Sequence, residues 1–307
     1  MSILEVNDLS ISFSQYTGGL RKRQLQVISG LDVSVNQGEI LAIVGASGSG
    51  KSLLAHSVLG ILPANATVSG SIKYKGERLT AQRQEVLRSS EIALIPQSVN
   101  FLNPLMPVGK QVRSAVNDKA TITAQKKVFE RLHLQPEVES MYPFQLSGGM
   151  ARRVLLSTAI IRDAQLIIAD EPTPGLDPLV IKEVLQSFRE LADEGRAIML
   201  ITHDIEAALQ IADRIAVFYA GTTLEVASVD DFTGNGEKLR HPYTRALWRA
   251  LPQNDFIAIP GSQPKATDLP SGCLFAPRCF CAQSECEQAQ PKMRDLRDGR
   301  VRCTHAT

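Results

Sequence analysis

The chain has 307 residues, 44% of them hydrophobic and 21% charged, with a formal net charge of +1. That is enough apolar material for one large domain plus an appendage. The near-zero net charge provides no broad basic field, which argues against nucleic acid or an anionic lipid surface as the main partner.

The chain opens with short apolar segments separated by turns, Leu4 to Val6, Ile11 to Phe13 and Gln26 to Ile28, which predict antiparallel strands. Glu39 to Val44 is a continuous apolar run after one acid, the pattern of a strand buried on both faces. It leads through a Gly-rich turn into a predicted helix, Lys51 to Leu59. From Val108 to about Ser140 the pattern is helical and more polar. Further buried strands are expected at Leu166 to Ala169, Ala197 to Thr202 and Ile215 to Tyr219. Between the first two, Val184, Leu185, Phe188 and Leu191 recur at helical spacing, and Gly195 stands where a helix would end. Strands alternating with helices predict an α/β domain with a parallel sheet.

Near residue 235 the character changes to a short helix, Tyr243 to Leu251, followed by a stretch punctuated by Pro252, Pro260, Pro264 and Pro270. The division expected is therefore 1–235 and 236–307. No apolar run approaches the roughly 18 residues of a membrane helix. The first ten residues lack the charged and then apolar regions of a secretion signal, so a cytosolic chain that reaches a membrane only through a partner is expected. Residues 1–272 hold no cysteine; all five, Cys273, Cys279, Cys281, Cys286 and Cys303, fall in the tail. In a reducing compartment such a set points to a metal or cluster rather than to disulfides.

Gly45-Ala46-Ser47-Gly48-Ser49-Gly50-Lys51-Ser52 fits the phosphate-loop pattern in full, between a predicted strand and a predicted helix. Its glycines let backbone amides close on phosphate oxygens, and the helix N-terminus adds a positive dipole. Lys51 offers a charge to the β- and γ-phosphates, and the Ser52 hydroxyl suits Mg²⁺. Leu166-Ile167-Ile168-Ala169-Asp170-Glu171 places two carboxylates at the carboxyl end of a buried strand, where α/β proteins bind ligands. Asp170 suits the Mg²⁺ shell, and Glu171 suits the general base that activates the attacking water. Taken alone, the pair would equally be two solvated acids at a strand end.

A third element, Leu146-Ser147-Gly148-Gly149-Met150, lies between these two. With it the chain resembles the ABC ATPases, whose signature opens a helix with LSGG; Met150 stands where that family usually has Gln. Ser147, Gly148 and Gly149 then form a second anion site at a helix N-terminus. The resemblance assigns Gln97 to the Q-loop, in reach of Mg²⁺ or water, Gly175-Leu176-Asp177 to the D-loop, and His203 to the γ-phosphate switch. It sets Phe13 against adenine, with Tyr16 as the rival. The implied fold is an ABC-type nucleotide-binding domain: a RecA-like parallel-sheet core, an antiparallel β subdomain, a helical subdomain at about 98–160, and a small Cys-containing C-terminal extension.

Leu102-Asn103-Pro104, Val108-Gly109, Gln111 and His241-Pro242-Tyr243-Thr244 resemble the ATPases of peptide and nickel importers, and the tail LPSGCLFAPRC continues the likeness. By residue chemistry alone, HPYT reads only as a Pro-initiated helix start. The resemblance implies an ATPase on the cytoplasmic face of the inner membrane, paired with a second ABC ATPase subunit. Two transmembrane permease subunits and an external substrate-binding protein complete the importer, whose cargo is a small peptide or nickel and its chelates. The alternative is a non-transport ABC ATPase of the iron–sulfur assembly type, which should lack HPYT. The spacing C-x5-C-x6-C-x16-C of Cys273, Cys279, Cys286 and Cys303 resembles the set that holds a [4Fe–4S] cluster in related importers. Zinc on the same four, or free thiols, remain open. Cys281 falls outside the set but is able to substitute.

Overall fold

The computed structural model describes residues 1–16, 22–88, 90–113 and 119–307. Part of the predicted helical stretch from Val108 to Ser140 falls on 114–118, outside the described residues. The chain begins with two long antiparallel strands, β1 (Ser2–Tyr16) and β2 (Lys22–Asn36), then β3 (Ile40–Gly45) and α1 (Lys51–Leu59). Next come β4 (Ala66–Tyr74), β5 (Glu77–Arg78), α2 (Ala81–Arg88) and β6 (Ile92–Ile95). Three helices follow with no strand between them among the described residues: α3 (Val108–Arg113), α4 (Lys119–Arg131) and α5 (Gly148–Ile160). The chain then alternates through β7 (Leu166–Asp170), α6 (Pro178–Asp193), β8 (Ala197–Thr202), α7 (Ile205–Ile211) and β9 (Arg214–Tyr219). It ends with β10 (Thr222–Ser228), α8 (Pro242–Arg249), α9 (Glu285–Gln288), β11 (Arg294–Leu296) and β12 (Gly299–Val301).

Two sheets result. The smaller is antiparallel, in the order β2-β1-β4-β5. The larger runs β11-β12-β10-β9-β3-β8-β7-β6, and its pairs from β9 through β3, β8 and β7 to β6 are parallel. Alternation along β3 divides the core. Ile40, Ala42 and Val44 face the side packed by α5, α6 and α7, while Leu41 and Ile43 face α1 and the smaller sheet. All are fully buried, which explains why this strand reads as an unbroken apolar run.

Beyond residue 235 the composition changes without a break in the core. Leu239, Tyr243, Trp248, Cys273 and Phe275 pack in the same cluster as Ile40 and Val44. The Tyr219 and Tyr243 rings lie 4.6 Å apart, and Phe275 meets Tyr219 edge-on at 5.5 Å. HPYT does open a helix, with Pro242 in its first turn and the His241 ring accepting a hydrogen bond from the Tyr243 amide at 3.0 Å. It does more than that. The buried Glu225 carboxylate accepts from the Arg240 and His241 amides at 2.8 Å each and pairs with the Arg240 guanidinium at 3.3 Å. Burial pushes the His241 imidazole down to about 3.

Candidate nucleotide site

Strand direction gathers the site. The parallel strands β6, β7, β8 and β3 all end at one edge, so the residues that follow them, Gln97, Glu171, His203 and the loop from Gly45, converge there. A cleft of about 580 Å³ is lined by Ser47, Gly48, Gly50, Lys51, Ser52, Gln97, Glu171 and His203, together with Val27 and Leu53.

The loop turns where its glycines allow. A Cβ on Gly45 would stand 2.4 Å from the Phe218 carbonyl oxygen, and Gly50 holds a φ of 94°. Lys51 is buried and donates to the Gly45 and Ala46 carbonyls at 2.9 and 3.2 Å, folded back over its own loop. Burial lowers its pKa, while Glu171 and Asp170 oppose the shift. Burial also raises the Asp170 carboxyl, which the Ser52 hydroxyl partly stabilises by donating to it. Asp170 Oδ1 is buried and makes no hydrogen bond within the chain. An unsatisfied buried carboxylate oxygen beside a hydroxyl, with the Gln97 amide in the same cleft, is an oxygen set that fits Mg²⁺.

Glu171 is the strained residue of the site. Its φ is 49°, in the left-handed region, and its amide donates to the Ile201 carbonyl at 2.8 Å. A side chain of this type takes that conformation at a cost of order 1–3 kcal/mol, which the surrounding strands must offset. The result is a buried carboxylate 2.7 Å from His203 Nδ1, with the imidazole exposed. Ser147 caps α5, its Oγ accepting from the Met150 amide at 3.2 Å, and Ser147 and Gly148 are exposed. They do not line the cleft of their own chain. Asp177 caps α6 by accepting from the Leu179 and Val180 amides.

Phe13 is not among the lining residues; it packs half-buried against the core of the smaller sheet. Tyr16, at the end of β1, is 66% exposed with Lys22 Nζ 5.5 Å from its ring centre. Val27 lines the cleft and was not anticipated, since nothing in an alternating strand marks which residue will face a ligand.

Residues 28–174 match the family model for the ABC transporter, and residues 224–286 match that for the oligopeptide/dipeptide transporter C-terminal region. The oligopeptide transport ATP-binding protein AppD of Bacillus subtilis is 34% identical over 98% of this chain and 96% of its own. The chain belongs to the ATP-binding subunits of ABC transporters. The oligopeptide transport ATP-binding protein OppD of Escherichia coli is 35% identical to this subunit, over 98% of this chain and 92% of its own. Among solved structures, an ATP-binding subunit of an ABC transporter superposes with a TM-score of 0.62 at 27% identity, covering 75% of this chain and 91% of that one. A dimeric bacterial ABC transporter cassette gives 0.64 at 21% identity over 74% and 98%, a likeness of fold. This subunit is an ATPase of the ABC type.

In the tail, Cys273 and Cys286 are buried, Cys279 and Cys303 are partly so, and Cys281 is exposed. The Cys273 amide donates to the Cys286 carbonyl at 2.7 Å, and the Cys279 and Cys281 sulfurs are 3.5 Å apart. Burial raises the thiols of Cys273, Cys303 and Cys279, the last to about 12, and neighbouring thiols add to each shift. Cys273 is within electrostatic reach of both Cys286 and Cys303. The sulfurs thus share one corner, but no three ligand-type side chains stand at metal-holding geometry among the described residues.

Proposed function

We propose that this subunit powers the import of small peptides, working as one half of a paired ATPase on the cytoplasmic side of a membrane permease. The observation that carries the reading is the site itself: a phosphate loop, Glu171 and His203 in one cleft, Asp170 hydrogen-bonded to Ser52 of that loop, and Ser147 and Gly148 exposed elsewhere. An exposed anion-binding turn that does not reach its own cleft is suited to the γ-phosphate held by another subunit. Two composite sites would then form across the pair. The C-terminal match and the relatives' names favour peptide cargo over nickel or a metal chelate. The full-length likeness, HPYT included, favours transport over iron–sulfur assembly.

In the ATP-bound site, Lys51 leaves the Gly45 and Ala46 carbonyls for the phosphates. Ser52, Asp170 and Gln97 would hold Mg²⁺, which neutralises phosphate charge when bound. Glu171 accepts the proton of the attacking water, and His203, hydrogen-bonded to it, senses the γ-phosphate. For the base, Tyr16 takes precedence over Phe13 because its ring is exposed.

The test is reconstitution with two permease subunits and a sister ATPase in vesicles. ATP-driven uptake of a labelled oligopeptide is expected, and Ser147→Arg should abolish it by placing bulk where the partner's γ-phosphate docks. ATP-driven nickel uptake with no peptide uptake would overturn the cargo assignment. Unimpaired uptake by Ser147→Arg would overturn the composite site.

The cysteine corner supports a [4Fe–4S] cluster on Cys273, Cys279, Cys286 and Cys303. Thiols held protonated by burial, with a smaller contribution from one another, gain most from a cation that takes them as thiolates. The cluster would staple the Pro-rich tail to the core and takes no part in hydrolysis. Protein purified without oxygen should contain about four irons and absorb broadly near 400 nm, roughly. Stoichiometric zinc instead, or neither metal, would replace the cluster with a zinc staple or free thiols.

A further inference from the structure

Arg302 is a buried arginine, 6% exposed, directly after the tail strand β12 that joins the larger sheet, and the chemistry above makes no use of it. Its amide donates to the Leu224 carbonyl at 2.8 Å, continuing the β12–β10 pairing. Its side chain reaches from β10 to β2. There the guanidinium is fully engaged. Nε donates to the Thr223 carbonyl at 3.0 Å and Nη1 to the Pro291 carbonyl at 3.1 Å. Nη2 donates to the Gly30 carbonyl and to Asp32 Oδ2, the latter at 2.6 Å.

Gly30 lies on β2, far from the tail in sequence and close to the phosphate loop in space. The Ser29 amide donates to the Gly221 carbonyl at 2.9 Å, and the Gly221 amide donates to the carbonyl of Ser49 at 3.2 Å. Gly221 is wedged so tightly that a Cβ there would lie 2.0 Å from the Val27 carbonyl oxygen. A Cβ on Gly50 would lie 3.1 Å from the Ile28 side chain. Val27 itself lines the nucleotide cleft. Backbone 27–30, the turn at Gly221 and the phosphate loop at Ser49–Gly50 are thus one contiguous stack, and Arg302 closes its far end.

We propose that Arg302 is a positioning residue of the nucleotide site: it clamps the 27–30 segment of β2 against the β9–β10 turn and so fixes the phosphate loop. Close-packed layers of backbone transmit a displacement rather than absorb it. Without the guanidinium, the Gly30 carbonyl and Asp32 lose a charge-assisted partner, and the segment is free to lift from the turn. The cost falls on nucleotide binding, since Glu171 and His203 lie outside the stack. The proposal rests on the ATP reading of the loop, which Lys51→Ala tests independently.

The experiment titrates the full chain with Mg-ADP by calorimetry, well below its melting temperature, and follows amide exchange at Ser29 and Gly221. Arg302→Met should raise Kd about tenfold and speed exchange at both amides. Arg302→Lys should recover part of the affinity, because an ammonium still reaches Asp32 or the Gly30 carbonyl. Asp32→Asn should shift Kd in the same direction by less. An unchanged Kd in Arg302→Met, whatever its melting temperature, would reduce the residue to a staple of the tail and overturn the proposal. If Arg302→Met does not fold, Asp32→Asn decides: a raised Kd supports the clamp and a wild-type Kd overturns it. Wild-type protein that binds no Mg-ADP would instead remove the nucleotide reading on which the clamp depends.

Discussion

Glu171→Gln will retain ATP binding and lose turnover by roughly 10²- to 10⁴-fold, the usual size of a lost general base. The amide matches the carboxylate in shape, so the left-handed backbone at φ 49° and the amide bond to Ile201 are undisturbed. The glutamine can still meet His203 Nδ1 across the present 2.7 Å. What it cannot do is accept a proton from water. The measurement is steady-state ATPase beside equilibrium binding of ATP, and the split between them is the content of the prediction. Hydrolysis within a few-fold of wild type would show that Glu171 is not the base. Loss of binding and turnover together would mean that its role lies in shaping the loop.

Lys51→Ala should fail earlier, at binding. The ammonium holds two carbonyls of its own loop, and Asp170 and Glu171 raise its pKa against the effect of burial. Removing it leaves two acids facing a polyanion in a partly dry cleft. Truncating one partner of a buried, hydrogen-bonded charge pair costs about 2–5 kcal/mol, or roughly thirty-fold to several-thousand-fold in Kd. Calorimetric titration with Mg-ATP measures it. An affinity within threefold of wild type would mean that the loop amides and helix dipole alone hold the phosphates.

Much of this site was legible because phosphate binding constrains local sequence. A loop that closes backbone on an anion needs glycines at Gly45, Gly48 and Gly50, and a buried strand must deliver it, so motif and element announce each other. The features that escaped reading are those set by distant partners. The Glu225–Arg240 pair is buried because two segments meet, and neither segment carries a period that says so. β11 and β12 are each so short that no alternation can develop. Phe13 packs half-buried against the smaller sheet's core, and an alternating strand does not reveal which face meets a ligand and which the core.

The short pairing of β12 with β10 at Glu225 and Val226 has a further consequence, for solubility. In its absence β10 would be the open edge of the larger sheet, presenting the bare N–H and C=O groups of a strand now almost wholly buried, Thr222–Ser228. Such an edge templates pairing with other chains. With β12 in place, the exposed edge becomes β11, Arg294–Leu296, which is three residues long and carries Arg294 and Asp295. Charge and brevity are the usual protections of a sheet's outer strand. A chain shortened before Arg294 therefore exchanges a guarded border for an adhesive one, and its cost would be read in aggregation before any loss of ATP chemistry.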